Sequence, residues 1–287
     1  NMEIIRNSVH HYKESAKVKN FYFAKQGIKT IAAKCVSCHS QLPAKIYGKI
    51  SNKYNLFIEK EIKNSYDQAM MSYLLRDYNR AIEKFSDSVK ENKADAQIQD
   101  RSIRKILKIS LMNDIKTDQL VKRLGQLKQD IKKPSYLEEN IDEWIKQIKQ
   151  FKMPSSGKGI DFLVKTVLDP IESEIRNGDP NNFLVPLHSM QGILSRNMAM
   201  SKDAKNSAMS LYWLGLIENS FHEDFMFSLG DMYLKRCIND FSKSKFAEKC
   251  FEAIKESYTL GFTGSSGTNL PNDIKVELNE LKAKIGK

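Results

Sequence analysis

Five consecutive residues carry most of the chemistry in this chain: Cys35-Val36-Ser37-Cys38-His39. Two thiols three positions apart on one turn reach the two vinyl groups along one edge of a porphyrin and can close thioether bonds to them. The imidazole that follows then swings under the ring to bind iron as proximal ligand. The spacing therefore predicts covalent attachment of one haem c through Cys35 and Cys38, with His39 on the iron. Two other chemistries use a Cys-x-x-Cys pair. A dithiol–disulfide redox pair belongs with a βαβ unit, whose strands this sequence lacks. A zinc site needs two further ligands at short spacing, and Cys237 and Cys250 are not arranged as a second Cys-x-x-Cys.

The elements that position this motif read as helices almost throughout. Met2 to Lys19 is amphipathic. Phe21, Ile28, Ile31 and Ala32 recur at helical spacing up to His39, so the motif closes a helix, which Pro43 keeps from continuing. From Tyr54 the pattern is of antiparallel hairpins. Helices are predicted over Tyr54–Leu75, Asp77–Glu91 with Asp77 as cap, Ile98–Leu111, Thr117–Ile131 with Thr117 as cap, and Tyr136–Phe151. Pro, Gly and Ser cluster at 153–159, which predicts a linker between an N-terminal helical domain, 1–152, and a C-terminal one, 160–287. Beyond it, helices are predicted over Ile160–Arg176, Phe183–Asn197, Ala204–Ser220, Glu223–Asn239, Ser244–Thr259 and Asp273–Lys284. The expected fold class is all-α.

Three local resemblances accompany this pattern. The run Gly27-Ile28-Lys29-Thr30-Ile31-Ala32-Ala33-Lys34-Cys35-Val36-Ser37-Cys38-His39-Ser40 resembles the first helix of bacterial class I cytochromes c. The stretch from Ser65 through Phe85 resembles a tetratricopeptide hairpin, which implies that small Ala69 and Ala81 lie where its two helices touch, with aromatics around them. Ser228-Leu229-Gly230-Asp231-Met232-Tyr233, with Phe246-Ala247 and Leu260-Gly261, resembles the Sel1-like class of the same repeat, and Trp213-Leu214-Gly215 begins a truncated second copy. Together they imply a helical-repeat solenoid with a haem-bearing N-terminal helix.

The distal iron ligand decides what such a haem does: Met raises the potential, a second His lowers it, and an open position admits small ligands. Class I cytochromes often place the distal Met just before a Pro, which makes Met153, ahead of Pro154, one candidate. His10 and His11, on the helix before the haem helix, are another. Met70, Met71, His188 and Met190 complete the set, and a pentacoordinate or water-ligated iron stands beside them.

The remaining cysteines, Cys237 and Cys250, lie on the two helices of the Sel1-like hairpin. In an oxidising compartment they can bond, for a gain of about 2–4 kcal/mol; two buried free thiols are the alternative. Glu59-Lys60-Glu61, Glu138-Glu139, His222-Glu223-Asp224 and the Gly264–Gly267 loop form no catalytic constellation, so the sequence points to an electron carrier or scaffold and not to an enzyme.

Composition sets the frame. The chain has 287 residues with 41% hydrophobic and 28% charged side chains, enough to bury an ordered core. Its net charge of +11 is spread along the chain without a nucleic-acid reading motif. No apolar run is long enough to span a bilayer. Because haem c is attached outside the cytoplasm, the expected location is periplasmic or otherwise extracytoplasmic, with a signal peptide removed ahead of Asn1. The expected partners are redox proteins, as subunits of a larger complex.

Overall fold

A computed structural model describes residues 2–20, 22, 62–92, 95–131, 136–154, 159–178, 180–201, 203–221, 228–265 and 267–286. The described residues are all-α apart from turns and one minimal β-ladder. They form two compact units built from separate stretches: one from 43–171 and 180–193, the other from 1–42, 172–179 and 194–287. The predicted linear boundary at 153–159 differs from this division, and positions 155–158 within it lie outside the described residues.

In the first unit, helix α2 (Ser65–Leu74) starts where Asn64 Oδ1 accepts the Asp67 N–H at 2.7 Å. Of the helix predicted over Tyr54–Leu75, the described part begins at Ser65, since 62–64 are non-helical and Asn64 takes the N-cap, a place Asn favours over a helix interior. Positions 54–61 lie outside the described residues. Asp77 caps α3 (Tyr78–Glu91), its Oδ1 accepting the Arg80 N–H at 3.4 Å, as its position predicted. The two helices run antiparallel: Ser65 Oγ donates to Glu91 Oε1 at 2.7 Å, joining the first residue of one to the last of the other. Ala69 and Ala81 are wholly buried, and Tyr66 meets Phe85 edge to face at 5.8 Å between the same helices.

Helix α4 (Ala96–Met112), capped by Asp95, returns along α3. Gln99 Nε2 donates to the Val89 carbonyl at 2.9 Å, so a fully buried amide is satisfied across the contact. Helix α5 (Thr117–Asp130) begins at Thr117 itself. The extended residue ahead of it is Lys116, whose side chain makes no cap hydrogen bond, so Thr117 is the first helical residue and not the cap. Leu120, Leu124 and Leu127 of α5 are buried, as are Leu137, Ile141, Trp144 and Ile148 of α6 (Tyr136–Gln150). Both stripes repeat every three or four residues, the spacing of one helix face.

The segment predicted as one helix over Ile160–Arg176 is interrupted. A short α7 (Ile160–Leu163) passes into a π-turn at Val164–Leu168, a 3₁₀ turn at Asp169–Ile171 and then α8 (Glu172–Arg176). Pro170 is the cause: it has no N–H to donate, and its ring crowds the carbonyl one turn back. Helix α9 (Leu184–Met200) follows. Its Gly192 lies so close to the Met112 carbonyl of α4 that a Cβ there would collide with backbone.

The second unit is centred on α10 (Ala204–Ser220), which is buried nearly all round and carries Tyr212 and Trp213 at 0% and 1% exposure. Helix α11 (Leu229–Asp240) crosses it at two glycines: a Cβ on Gly230 would strike Asn219 and stand 2.7 Å from the Gly215 carbonyl. Helix α12 (Lys245–Gly261) packs antiparallel to α11, and α13 (Asn272–Lys282) is tied to α12 by Tyr258 Oη donating to Glu277 Oε2 at 3.1 Å. Asp203, Ser228 and Ser244 cap α10, α11 and α12. Between α12 and α13 a two-residue ladder pairs β1 (Thr263–Gly264) with β2 (Gly267–Thr268), a detail the helical periodicity did not predict.

Candidate functional site

Cys35, Cys38 and His39, and the helix predicted to carry them, lie outside the described residues. The distal-ligand candidates are described, apart from whatever the undescribed stretches hold, and they fall into two groups. His188 is 3% exposed, with its Nδ1 2.7 Å from Gln191 Oε1, and Met190 is fully buried on the same helix. Met70 is 6% exposed in the α2–α3 hairpin, and Met71 beside it is half-buried. Drawing a buried Met out of such a core leaves a cavity costing about 2–5 kcal/mol, so Met70 and Met190 act as packing residues and His188 as a satisfied core histidine.

The second group keeps access. His10 and His11 are both exposed on α1 (Met2–Lys17), with ring centroids 6.3 Å apart and planes inclined at 59°. Met153 is half-buried in the non-helical stretch after α6. Among the described residues no group of three or more His, Cys, Asp or Glu is placed to hold a metal ion.

Cys237 and Cys250 are joined as a disulfide, with Cα atoms 6.4 Å apart and both side chains fully buried. The bond ties α11 to α12 across the interior of the second unit. Of the four cysteines in the chain, this leaves the pair in the Cys-x-x-Cys-His motif.

One polar cluster escaped the sequence reading. Glu172 and Arg176, one turn apart on α8, converge on Tyr212 of α10. Tyr212 Oη donates to Glu172 Oε1 at 2.6 Å, and Arg176 Nη2 donates to Tyr212 Oη at 2.7 Å. Arg176 also donates through Nε to Glu172 Oε1 at 3.2 Å and through Nη1 to Glu256 of α12. The Lys249 ammonium stands 5.3 Å from the centre of the Tyr212 ring. Burial, followed by the hydrogen bond to Glu172, drives the Tyr212 phenol far above its ordinary range. Burial pushes the Glu172 carboxyl up, but the Tyr212 hydroxyl, Lys249 and Arg176 outweigh it and hold the group below its ordinary 4.5. At neutral pH the carboxylate therefore stays ionised and the phenol protonated. The cluster clamps α8 onto α10 and α12; a base this weak beside an acid this weak is unsuited to proton transfer. Only the i,i+4 pair Glu172/Arg176 was visible locally, since Tyr212 and Glu256 arrive from 36 and 80 residues beyond Arg176.

No described helix is long and apolar enough to cross a membrane. Compared with known proteins, the chain matches no family model, no curated protein and no solved structure.

Proposed function

We propose that the chain is an extracytoplasmic monohaem c-type cytochrome serving as an electron-transfer and docking subunit of a larger redox or membrane-associated complex. The observation that carries this is the distribution of the four cysteines. Cys237 and Cys250 bond to each other, as suits an oxidising compartment. Cys35 and Cys38 stand with His39 at the spacing that haem attachment requires. The donor set fits the group: two thiols for the vinyl edge and one imidazole for iron, with His10, His11 and Met153 as candidate distal ligands. When bound, haem c supplies one-electron exchange at iron. The polypeptide's part is to fix it covalently, to set its potential through the distal ligand and to present it to partners.

A single haem in 33.0 kDa leaves most of the chain for another task. The antiparallel hairpins, with their resemblance to tetratricopeptide and Sel1-like repeats, suit protein contact, since stacked helical hairpins present extended binding faces. The same helices favour one alternative, a scaffold whose haem is structural or sensory. Spectra of the mature protein decide between the two. A low-spin haem unaffected by CO is expected for electron transfer; a high-spin haem that binds CO or NO would favour the sensory reading.

A further inference from the structure

We infer that an open groove in the second unit, between the start of α10 and the α11–α12 turn, is a docking site for an acidic peptide segment of a partner protein. This goes beyond the haem reading and does not depend on it. The groove encloses about 630 Å³, and Lys205, Lys243 and Lys245 stand along it with Phe241 and Ser242 between them. All three lysines are exposed. Asp240 is the one acidic residue in the lining, and its carboxylate is occupied by Arg236 at 2.9 Å. Lys249 continues the basic line one turn along α12, its ammonium 5.9 Å from the Phe246 ring.

This concentration is local. Residues 1–42, 172–179 and 194–287 together carry 21 Lys and Arg against 17 Asp and Glu, a small positive excess, and three of those lysines line this one groove. The first turns of α10 and α12 also face this region with their positive ends. Asp203 Oδ1 accepts the Lys205 N–H and Ser244 Oγ the Phe246 N–H, and the lysine side chains supply the full positive charges around these helix starts. Flexible ammonium groups along an open trough, with the aromatic side chain of Phe241 in the lining, suit a string of carboxylates on an extended peptide, which gains charge complementarity without needing a rigid cage.

The test is fluorescence polarisation of a labelled hexaglutamate peptide titrated with the full-length protein, at low and at physiological salt. Binding at low salt should weaken about tenfold or more at physiological salt, as exposed charge pairs are screened. The triple variant Lys205→Glu, Lys243→Glu, Lys245→Glu should lose affinity by at least about tenfold, the scale expected when like charges replace opposite ones along a docking face. A matched control reverses Lys116, Lys122 and Lys149, exposed residues of the first unit, and should change affinity less than about twofold if only rim charge is altered. Equal loss in both variants would assign binding to net charge alone and overturn the proposal. So would an undiminished affinity in the groove variant, or no binding at low salt. Inorganic pyrophosphate that binds more tightly than the peptide and displaces it would assign the groove to phosphate instead. If the triple variant loses its helical circular dichroism, Lys243→Glu alone, in the exposed turn, replaces it; carbodiimide cross-linking of the wild type must then map the peptide to Lys205, Lys243 or Lys245, and a map elsewhere contradicts the assignment.

Discussion

At the scale of single residues, the second unit is held by contacts between groups far apart in sequence. Tyr212 is fully buried, and its hydroxyl bridges Glu172 and Arg176 beside their direct pairing. Replacing it with Phe removes one hydroxyl and leaves two partly buried charged groups short of a partner, so Tyr212→Phe should cost about 1–3 kcal/mol in urea unfolding. The depressed Glu172 carboxyl makes the pH dependence directional. A group with a lowered folded-state pKa adds stability above its unfolded value, and that stability is lost as pH falls through the folded one. Wild-type stability should therefore fall as pH drops below 4.5, and Glu172→Gln should flatten that part of the profile while lowering stability at neutral pH. A profile of unchanged slope would mean that other carboxylates dominate acid unfolding. The disulfide belongs to the same scale. Paired Cys237→Ser and Cys250→Ser, closing a loop of 13 residues, should lower stability by about 2–4 kcal/mol in the same assay.

At the scale of elements, legibility followed the range of the signal. Helix periodicity located α3, α4, α6, α10 and α12 to within two residues at each end, because a face buried every three or four residues is written locally. Asp77 was legible as a cap for the same reason, whereas Thr117 was misplaced by one position because a cap depends on which residue takes the extended backbone. The break at 164–171 is hidden by the apolar pattern on both sides of Pro170, which does not register the loss of a backbone donor there. Close helix crossings were less visible still. Gly215 and Gly230 belong to the repeat-like pattern in sequence, and in the fold they let α10 and α11 approach within a Cβ of each other. Gly230→Ala should cost about 1–3 kcal/mol by overpacking, since the new methyl would meet Asn219 and a backbone carbonyl; Gly125→Ala, with open space around it, should be neutral or slightly stabilising. Comparing the two by thermal denaturation separates crowding from helix propensity.

At the scale of the whole molecule, the all-α class was readable from composition and period, but the assembly of each unit from separate stretches was not, because nothing local records that 172–179 packs with 194–287. The candidate haem site divides in the same way. Its proposed attachment residues stand within five consecutive positions of the sequence. Its distal ligand is a matter of tertiary placement, and burial leaves His10, His11 and Met153 accessible while committing Met70, His188 and Met190 to cores. The chain should accordingly keep its helical circular dichroism in a Met70→Leu variant with unchanged haem spectra, whereas loss of the true distal ligand should shift the reduction potential. The central claim is covalent haem attachment, and its most direct measurement is intact mass. Protein matured in a host competent for cytochrome c assembly, denatured in acid and freed of loose cofactor, should weigh the polypeptide plus one haem, and Cys35→Ala with Cys38→Ala should abolish the gain. A wild-type mass equal to the bare polypeptide, from a host that matures a control cytochrome c in parallel, would contradict the account.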